Sequence, residues 1–423
     1  MARGAFDAAV VGGGPVGGCC ALALAAAGMR VALVGPRPAG PPAALAAGEA
    51  DYDLRVLALT RASERILARL GLWAGIAAGR HGRFRAMRVW DAASPAAVRF
   101  DADELGEPVL GWTVEQSRIV EALWRRLEAE AESGTLALVP ARVESLEPGG
   151  AGDACLGLDG AGGTLRARLV VAADGADSRV RELAGIAVRG GPYEQRAVVA
   201  TLACERPHRL TAWQRFLPDG PIALLPLDDF HRVSIVWSTT PAHADALLEM
   251  EPEAFAGAVT EAAEARLGAM TLEGPRAAYA LRHQHAAAYV EGRVALVGDA
   301  AHVIHPLAGQ GFNLGLLDAA ALAECAAAAW RAHGDPGAAA ALARYQRWRR
   351  GENLAMGLLM EAFRSGFGAR ALPVRAARAL AFAVADRCVP LRRALVRRAM
   401  GLEGDLPGLA RVRCVETAGE AAP

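Results

Sequence analysis

Phe6-Asp-Ala-Ala-Val-Val-Gly-Gly-Gly-Pro-Val-Gly17 decides the fold. The apolar run Phe6–Val11 ends at three glycines and a proline, and an Ala-rich stretch follows as far as Gly28. Such a run, closed by glycine, predicts a buried strand; the Ala-rich stretch from Gly14 to Gly28 predicts a helix, and Arg30–Val34 a second strand. Together they form a βαβ unit. The glycines Gly12-x-Gly14-x-x-Gly17 fall at the strand–helix junction, where each has a physical use. Gly12 permits the tight turn, Gly14 lets a backbone approach a pyrophosphate, and Gly17 allows close helix–strand packing. The helix N-terminus adds amide donors and partial positive charge. A dinucleotide is therefore expected on this turn. The acid that should close the second strand and hold a ribose hydroxyl is missing. Gly35-Pro36-Arg37 stands there instead, with Glu49, Asp51 and Asp53 in the following loop as candidate replacements.

A second stretch has the same grammar: Arg293-Val-Ala-Leu-Val-Gly-Asp-Ala-Ala-His-Val-Ile-His-Pro-Leu-Ala-Gly-Gln-Gly-Phe-Asn-Leu-Gly-Leu316. A strand ends at Gly298-Asp299, where a carboxylate can accept hydrogen bonds from a sugar-alcohol chain. Pro306 shapes the next turn. Gly309, Gln310 and Gly311 bring amides forward at a helix start, where they and the helix dipole stabilise negative charge on a reduced flavin ring. Between the two lies Ala172-Ala-Asp-Gly-Ala-Asp-Ser-Arg179, also after a buried strand. Asp174 there either caps the next helix or faces a cofactor.

At 423 residues the chain can bury a large core over two or three subdomains. The 46 basic and 46 acidic residues cancel, so no global field draws nucleic acid. Every basic residue is Arg, which excludes a Schiff-base or P-loop lysine. Seven Cys without a C-x-x-C pair favour reduced thiols in a cytosolic protein. Ala8–Met29 carries no charge, but Gly12–Pro15 interrupts it and the βαβ reading accounts for each glycine, so no membrane span is assigned.

The expected organisation is α/β (α+β). A Rossmann-like FAD-binding domain occupies 1–185 and returns at 286–335. A mainly β-sheet substrate domain is inserted at 186–285, and a helical region covers 336–423. Strands are expected at Ala197–Cys204, Trp213–Phe216, Ile222–Pro226 and Arg232–Trp237. Helices are expected at Ala62–Leu70, Ser117–Ser133, Pro252–Leu267, Asp318–His333, Ala338–Leu359 and Ala371–Met400. His302 and His305 flank the second glycine loop, as proton relays or as turn histidines bonded to backbone. His283 and His285 are spaced to share a strand face, and with no third ligand near them no metal site is expected. Arginines punctuate the apolar stretch from Arg375 to Arg398, which fits either a solvated helix face or a membrane-surface helix.

In order and spacing, the Gly12 fingerprint, Asp174-Gly175 and Gly298-Asp299 resemble the single-component flavin aromatic hydroxylases of the para-hydroxybenzoate hydroxylase fold. His305-Pro-Leu-Ala-Gly-Gln-Gly-Phe-Asn-Leu-Gly315 is similar to the ubiquinone-biosynthesis hydroxylases that act on polyprenylated phenols. Arg55-Val-Leu-Ala-Leu59, Val89-Trp-Asp91, Val114-Glu-Gln116, Tyr193-Glu-Gln195 and Arg215–Pro226 agree. The resemblance implies FAD held by Gly12, Gly14, Gly17, Arg55, Gln116, Asp174, Gly298, Asp299, Gly309, Gln310, Gly311 and Asn313. It places Pro306 and the Gly309, Gln310 and Gly311 amides at the isoalloxazine as the catalytic set. Gly35 departs from the family's acid, so that contact is not carried over. The implied reaction is an NAD(P)H-using monooxygenation: FAD is reduced, O2 gives a flavin C4a-hydroperoxide, and a phenol ring attacks it. The implied partners are a hydrophobic phenolic quinone precursor and, peripherally, the inner face of the membrane or a biosynthetic complex, in a cytoplasmic protein. A hydroxylase of a soluble aromatic, a prenyl reductase of the same fold and a non-catalytic flavoprotein scaffold are the alternatives.

Overall fold

The computed structural model describes residues 6–38, 52–92, 97–150, 152–160, 163–305, 309–368 and 387–412. Two large sheets organise the chain. In the first, the strands Leu136–Val139, Val31–Val34, Phe6–Val11, Gly163–Ala172 and Val294–Leu296 lie side by side and parallel. The strands are packed on both faces and apolar throughout; residues 8–11 and 31–34 are all buried. The helix Pro15–Ala26 begins with Pro at its first turn and ends short of Gly28, whose positive φ closes the crossover into the second strand. The expected strand Phe6–Val11 has the same bounds, and the helix lies within the predicted span.

The second sheet has eight strands, and its order follows the fold rather than the sequence. Val188–Cys204 pairs with Met270–Ala286 on one side and Arg232–Thr239 on the other. Gly220–Pro226 and Thr211–Leu217 continue the sheet. The far edge is Ala86–Asp91 with Ala97–Asp101, drawn from inside the segment read as the first domain. Sheet membership thus crosses the boundary at 185. A core of its own, including Val198, Leu202, Ile235, Trp237, Phe255 and Val259, lies between this sheet and the helices Pro241–Glu249 and Pro252–Ala262.

Two long helices complete the body. Gln310–His333 is long and apolar enough to cross a membrane, with a mean hydropathy of 1.3 in its most apolar window, but 78% of that window is buried within the protein. It packs on Pro15–Ala26 and carries Ala339–Gly368 on its other side. Of the helix expected at Ala371–Met400, Val389–Ala399 is present and 369–386 lies outside the described residues.

Candidate active site

Parallel pairing puts three loops next to one another. Val11 is in register with Ala172, and Ala172 with Leu296. The chain leaves these strands still bonded: Ala173 N donates to Val11 O at 2.8 Å, Val297 N to Ala172 O at 3.0 Å, and Gly12 N to Val34 O at 2.8 Å. The Gly12 turn, the Asp174 turn and the Gly298-Asp299 turn therefore emerge together at the carboxyl edge of the sheet, where open α/β sheets bind ligands.

The glycines divide into two kinds. Gly12 has φ +121°, and a Cβ there would collide with the backbone carbonyl of Ala173. Gly17 is packed just as tightly on the carbonyl of Gly12. Gly14 and Gly311 are open, with nothing of the protein within 4 Å of an added Cβ. Gly14 caps Pro15–Ala26 and Gly309 caps Gln310–His333, and neither helix has a side-chain N-cap. Two helix N-termini without a side-chain N-cap thus lie beside the open positions Gly14 and Gly311, an arrangement that suits an anionic ligand.

Asp299 supplies the complementary chemistry. Part of the residue is open to solvent, but the protein crowds its carboxyl, which hydrogen-bonds to no described residue. Burial of its surroundings raises its carboxyl above the ordinary value, against the pull of His302 and Arg282. Such a carboxylate is ready to accept hydroxyl donors. The open cradle at Gly14 and Gly311 and the unpartnered Asp299 fit a flavin dinucleotide.

The other predicted residues fall into distinct places. Asp174 takes up the capping alternative: its carboxylate accepts from Ser178 Oγ at 2.5 Å and Val180 N at 3.1 Å, at the start of Arg179–Leu183. Arg181 of that helix is buried and donates to Ala300 O at 2.9 Å and Ala176 O at 3.0 Å, which joins the Asp174 and Asp299 turns. Arg55 is exposed, with its guanidinium 4.8 Å from the Tyr279 ring, and its carbonyl accepts from Gln116 N at 2.8 Å. The two residues are thus neighbours at one rim. Asp53 accepts from Arg55 N and Ser117 N, so that carboxylate orders this rim. Gly35 has φ +136° and lies against Gly12 and Gly13, so a positive-φ position stands where the acid was expected. Glu49, Asp51 and Pro306 lie outside the described residues.

Asn313 is 1% exposed and its side chain is fully engaged. Its Oδ1 accepts from Thr60 N at 3.0 Å and Ser63 Oγ at 2.6 Å; its Nδ2 donates to Ala58 O at 2.8 Å and Gly309 O at 2.9 Å. With four bonds made, it acts as a clamp on the Gly309 turn. Gln310 is buried beside it. His302 bonds to the Asp318 side chain and His305 to that of Gln195. His283 and His285 do lie on one strand, Met270–Ala286, where His283 packs on the Tyr193 ring and His285 bonds to the Ala286 carbonyl. Among the described residues no group of side chains is arranged to hold a metal.

Sequence reasoning missed a buried cluster behind the Gly298 turn, formed by Asp318, Arg349, His302 and Asn353. One signal was available: Asp318 is the lone charge in the apolar run from Phe312 to Ala323. Next to the His302–Ile304 segment, Val89, Phe216 and Met360 form a buried apolar cluster with Met87, Phe100, Ile304 and Met356 around it.

Comparison with known proteins gives the family and the fold. Residues 5–354 match the family described as an FAD binding domain. The chain is 41% identical to ubiquinone hydroxylase UbiL of Rhodospirillum rubrum, over 93% of this chain and 89% of that protein. It is 38% identical to 3-demethoxyubiquinol 3-hydroxylase of Escherichia coli, over 94% and 98%. It is 36% identical to the mitochondrial ubiquinone biosynthesis monooxygenase COQ6 of Rattus norvegicus, over 83% and 82%. In fold it is similar to p-nitrophenol 4-monooxygenase PnpA of Pseudomonas putida, with a TM-score of 0.73, 23% identity and coverage of 95% and 99%.

Proposed function

This chain belongs to the FAD-binding family of ubiquinone-biosynthesis hydroxylases, and on that premise we propose that it hydroxylates the aromatic ring of a polyprenylated phenol, using FAD, NAD(P)H and O2. The observation that carries the reading is Asp299, hydrogen-bonded to no described residue, on the same sheet edge as the Gly14 helix start, with the apolar cluster of Val89, Phe216 and Met360 reached through Ile304 of the same loop. When bound, FAD would supply the redox chemistry that couples NAD(P)H oxidation to ring hydroxylation by O2, the second oxygen atom leaving as water.

The chain's own residues bind, orient and exclude water. The amides after Gly14 take the pyrophosphate, and Asp299 accepts from the ribityl hydroxyls. Arg55 and Gln116 flank the cofactor at the rim. Asp174 reaches it through the turn it caps. The Gly309, Gln310 and Gly311 amides and the dipole of Gln310–His333 would stabilise negative charge on the flavin ring. Asn313 fixes that turn. Val89, Phe216, Ile304 and Met360 give the phenol a dry apolar seat.

A polyprenylated phenol resides in lipid or in the hands of partner enzymes, so the chain meets it at a peripheral membrane contact or within a biosynthetic complex. Leu354, Leu358 and Leu359, exposed at 42%, 63% and 45%, support work against an apolar surface. The three relatives compared are named as hydroxylases or monooxygenases, which favours this reading over a prenyl reductase or a scaffold.

The test is the visible spectrum of purified protein with added FAD. Bands near about 450 nm should bleach with NAD(P)H and return with air, and a prenylated phenol should be recovered one oxygen heavier. Protein that binds no flavin at saturating FAD, or that oxidises NAD(P)H without product, would count against the reading.

A further inference from the structure

Asp318 sits within the helix Gln310–His333 with no exposed surface, and donors from three other segments converge on it. Its Oδ2 accepts from Gly298 N at 3.2 Å and from His302 Nε2 at 2.5 Å. Its Oδ1 accepts from Arg349 Nε at 2.8 Å and Asn353 Nδ2 at 2.9 Å. Arg349 is 1% exposed and goes on to Asn353 Oδ1 at 3.0 Å and Glu352 Oε2 at 2.5 Å. Asn353 also donates to Tyr289 Oη at 3.3 Å, and that ring stacks on His302. Burial opposes charge on Asp318, yet His302 and Arg349 hold its carboxyl down at about 2.

A buried ion pair is poor value as a stabiliser, because desolvation cancels most of the attraction; an apolar side chain would fill this place at no such cost. Its position suggests what else it does. One oxygen of Asp318 holds the turn that carries Asp299. The other holds Arg349 and Asn353 on Ala339–Gly368, the helix whose next two turns bring Met356 and Met360 to Val89 and Phe216. His302 forms a second link, since it also favours the charged form of Asp299.

We propose that Asp318 is a positioning residue that couples the apolar seat to the cofactor turn: a ligand that shifts Ala339–Gly368 at Met356 and Met360 shifts Gly298-Asp299 through this one carboxylate. The proposal rests on the flavin-hydroxylase reading. Occupancy of the apolar seat and FAD affinity are then linked, and each ligand changes the affinity of the other by the same factor.

The experiment measures FAD affinity of the full chain by flavin fluorescence, with and without saturating 2-geranylphenol. The double variant Asp318→Asn/Arg349→Met removes both charges, so neither is left buried alone. Melting of the FAD-free protein reports folding. Wild type should show a shift in FAD affinity with the phenol of roughly tenfold, a usual size for coupled sites. The folded double variant should bind FAD more weakly, and the phenol should no longer change that affinity. Asn353→Leu, which removes one donor and no charge, covers the case in which the double variant does not fold, and should reduce the shift. Arg349→Lys, which keeps the charge, should retain part of it. An unchanged shift in the folded double variant or in Asn353→Leu overturns the proposal, as does a wild type whose FAD affinity ignores the bound phenol. Wild type that binds no FAD fails differently: it removes the flavin reading, and this proposal with it.

Discussion

Val16 is wedged against Gly298: a Cβ added to Gly298 would lie 3.1 Å from Val16 Cγ1. Gly315 meets the same side chain, its added Cβ lying 2.8 Å from Val16 Cγ2 and 3.2 Å from Gly298 Cα. One valine inside the first glycine fingerprint therefore spaces the second motif from it, although the two are remote in sequence.

Gly315→Ala should for that reason push Pro15–Ala26 and Gln310–His333 apart. We expect a loss of about 1–3 kcal/mol in stability, the usual range for overpacking, with weaker FAD binding. Val16→Ala makes room, so the double variant should recover part of both losses. Additive losses in a double-mutant cycle would show that the contact does not set the spacing.

Gly12→Ala and Gly14→Ala separate the two kinds of glycine. At Gly12 the backbone has φ +121° and the Cβ would strike a backbone carbonyl, so the substitution should cost about 2 kcal/mol or more in the FAD-free protein. At Gly14 the φ is −71° and the space is open, so stability should stay within about 0.5 kcal/mol. FAD affinity should nevertheless fall at least roughly tenfold, because the methyl occupies the ground the pyrophosphate needs. Chemical denaturation and FAD titration of the two variants check the contrast, and a Gly14→Ala protein with wild-type FAD affinity would move the pyrophosphate elsewhere.

Much of this edge was legible in the sequence because each turn residue has one physical use. Phe6–Val11 and the glycines after it admit one local structure, and parallel pairing does the rest. What was not legible lies in pairings over long range. Met270–Ala286 is a 17-residue strand, but it is partly exposed on both faces and interrupted by Gly274-Pro275, so no alternation announces it. Ala86–Asp91 joins the second sheet only because Thr211–Leu217 lies parallel to it. Pro241–Glu249 was legible and overlooked: Thr240 accepts from His243 N as its N-cap, and Pro241 takes the first turn. Asn313 reads as a ligand-binding residue from its motif, and only the positions of Ala58, Thr60 and Ser63 show that its bonds stay inside the protein.

Asp299 should make FAD binding depend on pH in a set direction. Burial raises its carboxyl, while hydroxyl donors from a ribityl chain would favour the charged form. Binding therefore lowers its pKa and releases a proton, so affinity should rise with pH through the titration of Asp299 and level off above it. Asp299→Asn should bind FAD more weakly at neutral pH and lose this dependence on the acid side. FAD titrations from pH 7 downward test it. A variant that keeps the wild-type slope would show that another group titrates.

Asp318 has the opposite sign and acts on stability. Its carboxyl is held at about 2, below the ordinary 3.8, because His302 and Arg349 outweigh its burial. A depressed acid stabilises the folded state above its unfolded pKa, and that contribution drains away as pH falls through the folded value. The window is thus from about pH 4 down to about pH 2, and near neutrality Asp318 adds no slope. Melting temperatures of wild type and Asp318→Asn/Arg349→Met are compared from about pH 5 downward, below the range in which a histidine titrates. Below about pH 4 wild type should fall more steeply, because only it carries the depressed acid. Curves that stay parallel down to the acid limit would mean that Asp318 has an ordinary pKa in the folded chain, and that the ion pair with Arg349 is not what holds its charge.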